Sequence, residues 1–335
     1  MTHLATTFSM TLLFAALLCS RAIAQNTPPV ILLVDVEDLV SYRGDVGDFA
    51  RLATEPNITT PLPPRNFSEA RLIGDIVAVN GQPAKGSFIT VVSGFDLSTN
   101  PNPGQALADT VRHGTVEQNF EILKPDGTLI GSIMLAGTSA GPPPPGAPLA
   151  VRTANNAIVG GTGAFLAVRG QSGQVSQTLP VRNASAAEDP ANRRRHGGGS
   201  LRFALHVIPM FRPEIVATSA GPAVTHSADF SVVSPSRPAV QGEILSAFAT
   251  GLGPVVPGVD PGAPFPSSPP ATVNSPVEVL VNGIAAEVLA AVGYPGAVDA
   301  YQVNFRLPPN IPRGVATVSV AAGWIRGNAV QIPVQ

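Results

Sequence analysis

The feature that most constrains this chain is its punctuation. From Asn66 onward short segments rich in Val, Ile, Phe and Thr are broken off by Gly, Pro, Asn and Asp, and no stretch keeps a helical period. Such segments bury one face each and must pair with one another, so the chain is expected to be all-β. The pattern predicts strands over 70–79, 86–92, 115–123, 129–136, 156–159, 165–170, 173–179 and 200–208. Between two of them Lys124-Pro125-Asp126-Gly127 is a tight-turn signal. Strands joined by local hairpins favour a meander, and a closed meander of about eight strands is a small barrel, filled by its own side chains or surrounding one small ligand.

Composition agrees with many turns and few solvated faces. Only 13% of the 335 residues are charged, while there are 33 glycines and 35 prolines. The glycines have no three-residue period and the apolar content is 44%, which excludes collagen and a solvated coil. A chain of this length is expected to form two domains, each with a core of its own. The formal net charge of −2 gives no footprint for nucleic acid. The basic triplet Arg193-Arg194-Arg195, followed by His196 and three glycines, reads as a flexible loop of solvated charge.

The first 24 residues read as a signal peptide. An apolar run from Met10 to Cys19 precedes Ala22-Ile23-Ala24, a small-residue cleavage pattern, and the run is too short to span a bilayer. The protein is therefore expected to be exported, to the periplasm or beyond, with no transmembrane anchor after cleavage. Cys19 is the single cysteine, so the mature chain would carry neither disulfides nor thiolate chemistry. The expected organisation is a leader over 1–24, an extension over 25–65 with a candidate short helix near 45–53, a barrel over 66–212 and a second β-domain over 213–335.

Candidate chemistry sits on the strand over 115–123. Period-two counting puts His113, Thr115, Glu117, Asn119 and Glu121 on one face and Val116, Gln118, Phe120 and Ile122 on the other. If the polar face lines the lumen, Glu117 and Glu121 are candidate acids with Asn119 as hydrogen-bonding partner, and Asp75 on an earlier strand is a third carboxyl. If the apolar face lines it, these groups are solvated outside, the commoner arrangement for a half-buried strand. No G-x-S-x-G elbow, Walker loop, H-E-x-x-H or dinucleotide fingerprint is present. The histidines lack ligand spacing, so no metal and no cofactor are expected. Asn57, Asn66 and Asn183 open glycosylation sequons that short matches produce by chance.

The stretch Ile158-Val159-Gly160-Gly161-Thr162-Gly163-Ala164-Phe165, continuing to Arg169-Gly170, resembles the V-G-G-T-G-x-F-x-x-A-R-G signature of plant dirigent proteins. It is also similar to the G-G-x-G-x-F-x-G-x-x-G of allene oxide cyclases. Gly81 to Val91 and Val116 to Gly137 follow the order of that family's earlier strands. The resemblance implies an eight-stranded allene-oxide-cyclase-like, dirigent-like barrel. Gly160, Gly161, Gly163 and Gly170 would then serve turns and bends, with Phe165 plugging the barrel. It further implies a small apolar ligand, an oxidised lipid or a phenolic, whose cyclisation or coupling the cavity steers; Asn119, Phe120 and Phe165 are the candidate ligand contacts, the first two from the strand reading. Homo-oligomers formed through outer barrel faces are a further implication.

After Pro209-Met210-Phe211-Arg212-Pro213 the composition shifts to Ala, Val, Pro and Gly. Strands are predicted over 229–233, 243–250, 277–282, 287–292, 300–307, 316–321 and 329–334, as in an immunoglobulin-like β-sandwich. Gly251-Leu252-Gly253-Pro254 and Tyr301-Gln302-Val303-Asn304 resemble blocks of a C-terminal module of uncharacterised secreted proteins of soil bacteria. Two functions compete: a ligand-binding barrel with or without isomerase-like or dirigent-like activity, and a noncatalytic envelope or adhesion protein.

Overall fold

A computed structural model describes residues 29–43, 67–95, 114–139 and 154–335. The expected leader, the helix near 45–53, the sequons at Asn57 and Asn66, and His113 lie outside the described residues.

The protein is almost entirely β, as the punctuation predicts. Eight strands form the first unit: β1 (Val30–Arg43), β2 (Phe67–Val79), β3 (Lys85–Phe95), β4 (Gly114–Leu123), β5 (Leu129–Ser139), β6 (Ala154–Gly163), β7 (Arg169–Leu179) and β8 (Gly199–Ile208). Each pairs antiparallel with the next, and β1 pairs antiparallel with both β8 and β2, so the meander closes into a barrel.

Two expectations need correction. The segment over 25–65, set apart as an extension, contributes β1, the strand that closes the ring. Its run Val30-Ile31-Leu32-Leu33-Val34 looks apolar throughout, yet Leu32 and Val34 are fully buried while Ile31 is 52% exposed. Residues 165–170, expected as a strand, are instead mostly a turn between β6 and β7. Gly163 (φ +62°) and Ala167 (φ 59°) reverse the chain there, and the Val168 amide donates to the Phe165 carbonyl at 3.2 Å. The turn tucks Phe165 and Val168 under the barrel, where both are buried.

The motif glycines differ in what they do. A Cβ on Gly163 would strike the Ile130 carbonyl oxygen, one on Gly161 the Phe165 carbonyl oxygen, and one on Gly170 (φ +142°) the His206 carbonyl oxygen. Gly160 meets nothing closer than 3.7 Å, so sterics do not demand a glycine there. At the next hairpin round the ring, Asn80 and Gly81 both have positive φ, as a two-residue type I′ turn between right-twisted strands requires. The Lys124–Thr128 turn forms as expected, with the Gly127 amide on the Lys124 carbonyl at 2.9 Å.

Side chains fill the lower half of the barrel. Phe88, Phe120 and Phe203 meet with ring centroids 4.8–5.1 Å apart, surrounded by Leu32, Val34, Ile76, Ile122, Ile133 and Leu205. Tilted and edge-on ring pairs of this kind stabilise by about 0.5–1.5 kcal/mol beyond their buried area.

The second unit has its own core and seven main strands: β9 (Val224–His226), β10 (Ile244–Thr250), β11 (Val277–Val281), β12 (Ile284–Gly293), β13 (Tyr301–Arg306), β14 (Gly314–Ala322) and β15 (Val330–Val334). They follow one antiparallel path, β9-β10-β13-β12-β11-β14-β15, that folds over the core, and an Ala239–Val334 bridge ties the segment before β10 to β15. β12 serves both layers, pairing with β11 through Ile284 to Ala286 and with β13 through Glu287 to Gly293. The strand expected over 229–233 is replaced by Val224–His226, because Asp229 accepts from the Ser231 amide at 3.1 Å and Phe230 takes a positive φ of 58°, making a turn. Tyr301, Val303 and Phe305 face the core as predicted, while Asn304 accepts from Gln302 at 2.9 Å and Ser246 at 2.8 Å, so the strand amides serve the ladder.

The second unit closes the hairpin end of the barrel. Ile325 is 2% exposed within the barrel's own core, with Trp324 packed beside it. A Cβ on Gly323 would come within 3.0 Å of the Ala164 methyl. Asn274 accepts from Lys124 at 3.2 Å and from Thr128 at 2.9 Å and donates to the Leu129 carbonyl, while the Trp324 indole donates to Gln82 at 3.0 Å.

The Phe120→Ala variant is expected to lose about 3–5 kcal/mol by urea unfolding, since a large void would open among three rings. Glu117→Ala is expected to stay within about 0.5 kcal/mol of the parent. Equal midpoints for the two variants would refute the packed lower half.

Candidate functional site

The ends of the barrel differ because the connections alternate between them. The links β2–β3, β4–β5 and β6–β7 are short turns at the end the second unit covers. At the opposite rim β1–β2, β3–β4 and β5–β6 are joined by residues 44–66, 96–113 and 140–153, and β7–β8 by residues 180–198. In barrels the end bearing the long connections is where sites are built, because loops there vary while the wall stays rigid.

Toward that rim the interior changes character. Above the phenylalanines, β3 presents Thr90, β4 presents Gln118, β6 presents Asn156 and β7 presents Ser172, all buried. The Asn156 amide donates to Gln118 Oε1 at 2.8 Å. These two strands are not neighbours; between them Gly137 stands opposite Asn156 on β5 and carries no side chain to block the reach. Thr90 is 2% exposed and Asn156 1%, yet Thr90 Oγ1 and Asn156 Oδ1 have no hydrogen-bond partner. Leaving a buried polar atom unpaired costs about 1–3 kcal/mol, so two in one layer make it the candidate site.

The sequence-derived candidates fall elsewhere. On β4 the exposure alternates so that Val116, Gln118, Phe120 and Ile122 point inward and Glu117 and Glu121 outward. Of the two arrangements the sequence allowed, the commoner one holds, so Glu117 and Glu121 are corrected from candidate acids to outer-wall groups: four apolar or amide side chains compete for the interior, and burying two unpaired carboxylates instead would be far costlier. Glu121 accepts from Ser87 at 3.1 Å on the outer wall. Asn119 is on that wall too, between Ile89 and Met134 in register, with its Oδ1 buried and unpartnered. Phe120 is interior but committed to the aromatic cluster, and Phe165 lies in the floor, against the second unit.

Asp75 also faces outward, and its role is structural. Arg193 donates to it at 2.8 Å and Arg194 at 2.9 Å, while Arg193 also reaches the Asp38 carbonyl at 3.2 Å. Asp38 (φ 49°) sits where β1 breaks register with β8 and β2, so Arg193 holds the bulge in the closing strand. Arg193 is thus buried and paired, which corrects the expectation of a wholly solvated basic loop. Burial alone would raise the Asp75 pKa, but the hydrogen bonds and charges of Arg193 and Arg194 outweigh it and hold the carboxyl below the usual range.

A recess of about 360 Å³ lies outside the wall, over Tyr42, Ile73, Ala186 and Pro190. The charged groups at its edge are already paired, Arg71 with Glu69 at 3.3 Å and Glu188 with Arg182 at 2.7 Å. Carboxylates carry the stronger chemical signal in the sequence, and the hydroxyls and amides of this layer do not stand out beside them. One signal was present: Gln118 is the lone polar residue on an otherwise apolar face, and buried polar groups are the informative ones.

Replacing Asp75 with Asn is expected to destabilise the protein by about 1–3 kcal/mol at neutral pH, since Arg193 keeps its burial but loses its counter-charge. Because the folded pKa is depressed, the stabilisation is present above the unfolded pKa of about 4 and disappears as pH falls through the folded value. Wild type and Asp75→Asn should therefore converge in acid unfolding; a constant gap from pH 7 to pH 2 would contradict the assignment.

No family model matches the sequence, and no curated protein gives a significant match. A solved polysaccharide lyase is similar at a TM-score of 0.19 and 9% identity, over 94% of this chain and 41% of that chain. The chain thus spans less than half of that enzyme's length, and at this TM-score the likeness carries no weight for fold or function.

Proposed function

We propose that this is an exported carrier whose barrel holds one small, mostly apolar ligand of the oxidised-lipid or phenolic type at the rim bearing the long connections. The observation that carries the reading is the pair of buried, partnerless atoms, Thr90 Oγ1 and Asn156 Oδ1, inside a closed wall. The Gln118–Asn156 bond fixes one amide, so that a ligand's polar group would meet a preset acceptor. Any steering of the ligand's reactivity would come from shape and orientation, because the three candidate carboxyls stand outside the wall. The resemblance to dirigent proteins and allene oxide cyclases is consistent with this reading and adds no residue roles to it.

The aromatic packing of the lower half and its continuity with the second unit favour a second reading, a noncatalytic structural protein of the envelope. The two readings part on one experiment. Protein purified from its own host and sprayed natively should carry a bound organic molecule near one equivalent, and Gln118→Leu should lower its occupancy at least about tenfold. Glu117→Leu, on the outer face, should retain it. Ligand-free protein from several growth conditions would move the assignment to the structural reading.

A further inference from the structure

Resting on the ligand-binding reading, we infer that the polar layer selects a neutral ligand that donates a hydrogen bond, an alcohol-type hydroxyl, and excludes ionised carboxylates. The inference follows from the two atoms left without partners. Asn156 Oδ1 is a carbonyl oxygen and can only accept; one of the two protons on its amide nitrogen is held by Gln118. Thr90 Oγ1 both donates and accepts. A ligand hydroxyl satisfies both at once, giving its proton to Asn156 and taking the proton of Thr90. An ether or ester oxygen can accept from Thr90 but leaves Asn156 Oδ1 unpaired. A carboxylate can take the Thr90 proton but brings only acceptors to Asn156 Oδ1.

Charge reinforces the choice. The layer's described side chains are Thr90, Gln118, Asn156 and Ser172, with Val116 and Leu135 beside them; all are uncharged. Among the described cations, Arg71 at this rim is paired with Glu69, and Arg182, Arg193 and Arg194 lie outside the wall and are bound to Glu188 and Asp75. An anion entering the barrel would lose its hydration and gain no counter-charge from these groups, a desolvation cost that geometry alone does not recover. The described layer thus disfavours fatty-acid anions as much as it favours alcohols, which is specificity by an uncompensated partner.

The test uses the full chain, delipidated, and three probes of one length: 1-decanol, decyl methyl ether and decanoate. Binding is read by calorimetry at pH 7. Decanol is expected to bind about tenfold tighter than the ether and at least about a hundredfold tighter than decanoate. Thr90→Val, nearly isosteric, and Asn156→Val should each shrink the decanol-to-ether ratio to about one to three, whereas Glu117→Gln should leave it unchanged. If Asn156→Val fails to fold, Thr90→Val still decides. Equal affinity for the three probes, or a preference for decanoate, overturns the selectivity while leaving the ligand-binding reading in place. Failure of every probe to bind, with the host-purified protein also empty, overturns both.

Discussion

The structure depends on the two-sided pairing of its first strand. A seven-stranded meander from Phe67 to Ile208 would present two unpaired edges, each a row of backbone donors and acceptors open to solvent or to another chain. Val30–Arg43 fills that gap, bonding to β8 along one side and to β2 along the other. Once the ring is closed, the two-residue period of every strand decides whether a side chain is inside or out. The location of each polar residue then follows from parity. The same closure requires a bulge at Asp38, where the register to both neighbours shifts, and Arg193 reaches across to fasten it.

Closure also separates two ends with different tasks. The hairpin end is apolar, lined by Phe165, Ile130 and Val168, and receives Ile325 and Trp324 from the second unit, so one continuous core runs through the junction. The loop end instead carries Thr90, Gln118, Asn156 and Ser172, with hydrogen-bonding capacity in excess of what the chain itself consumes. The second unit is thus best understood as the floor of the barrel: by fixing the hairpin end, it leaves the other rim as the end where polar groups await a partner.

Much of this was legible in the residues. Short β-rich runs between turn residues located most barrel strands, and the Tyr301-Val303-Phe305 alternation gave the correct buried face. The first strand escaped because Val30 to Val34 is apolar on both faces, and its outward members, such as Ile31, remain exposed in the folded chain. The turn at 164–167 escaped because Phe165 and Val168 look like strand residues; tertiary burial beneath the barrel, which no local pattern encodes, explains their apolarity. The carboxylates of β4 were singled out for their chemistry, but parity put them on the outer wall. Gln118 was visible as the odd polar residue of an apolar face, whereas Thr90 and Asn156 gained meaning only once closure brought β3 and β6 around one interior.

The central claim is that the barrel's upper layer is completed by something other than the chain. A crystal structure of the protein purified from its own host tests this most directly. The account expects density for a non-protein group within about 2.6–3.2 Å of both Thr90 Oγ1 and Asn156 Oδ1, above an unbroken Phe88–Phe120–Phe203 cluster. Thr90 and Asn156 instead hydrogen-bonded to side chains of the protein itself, in a layer with no room for a guest, would contradict it.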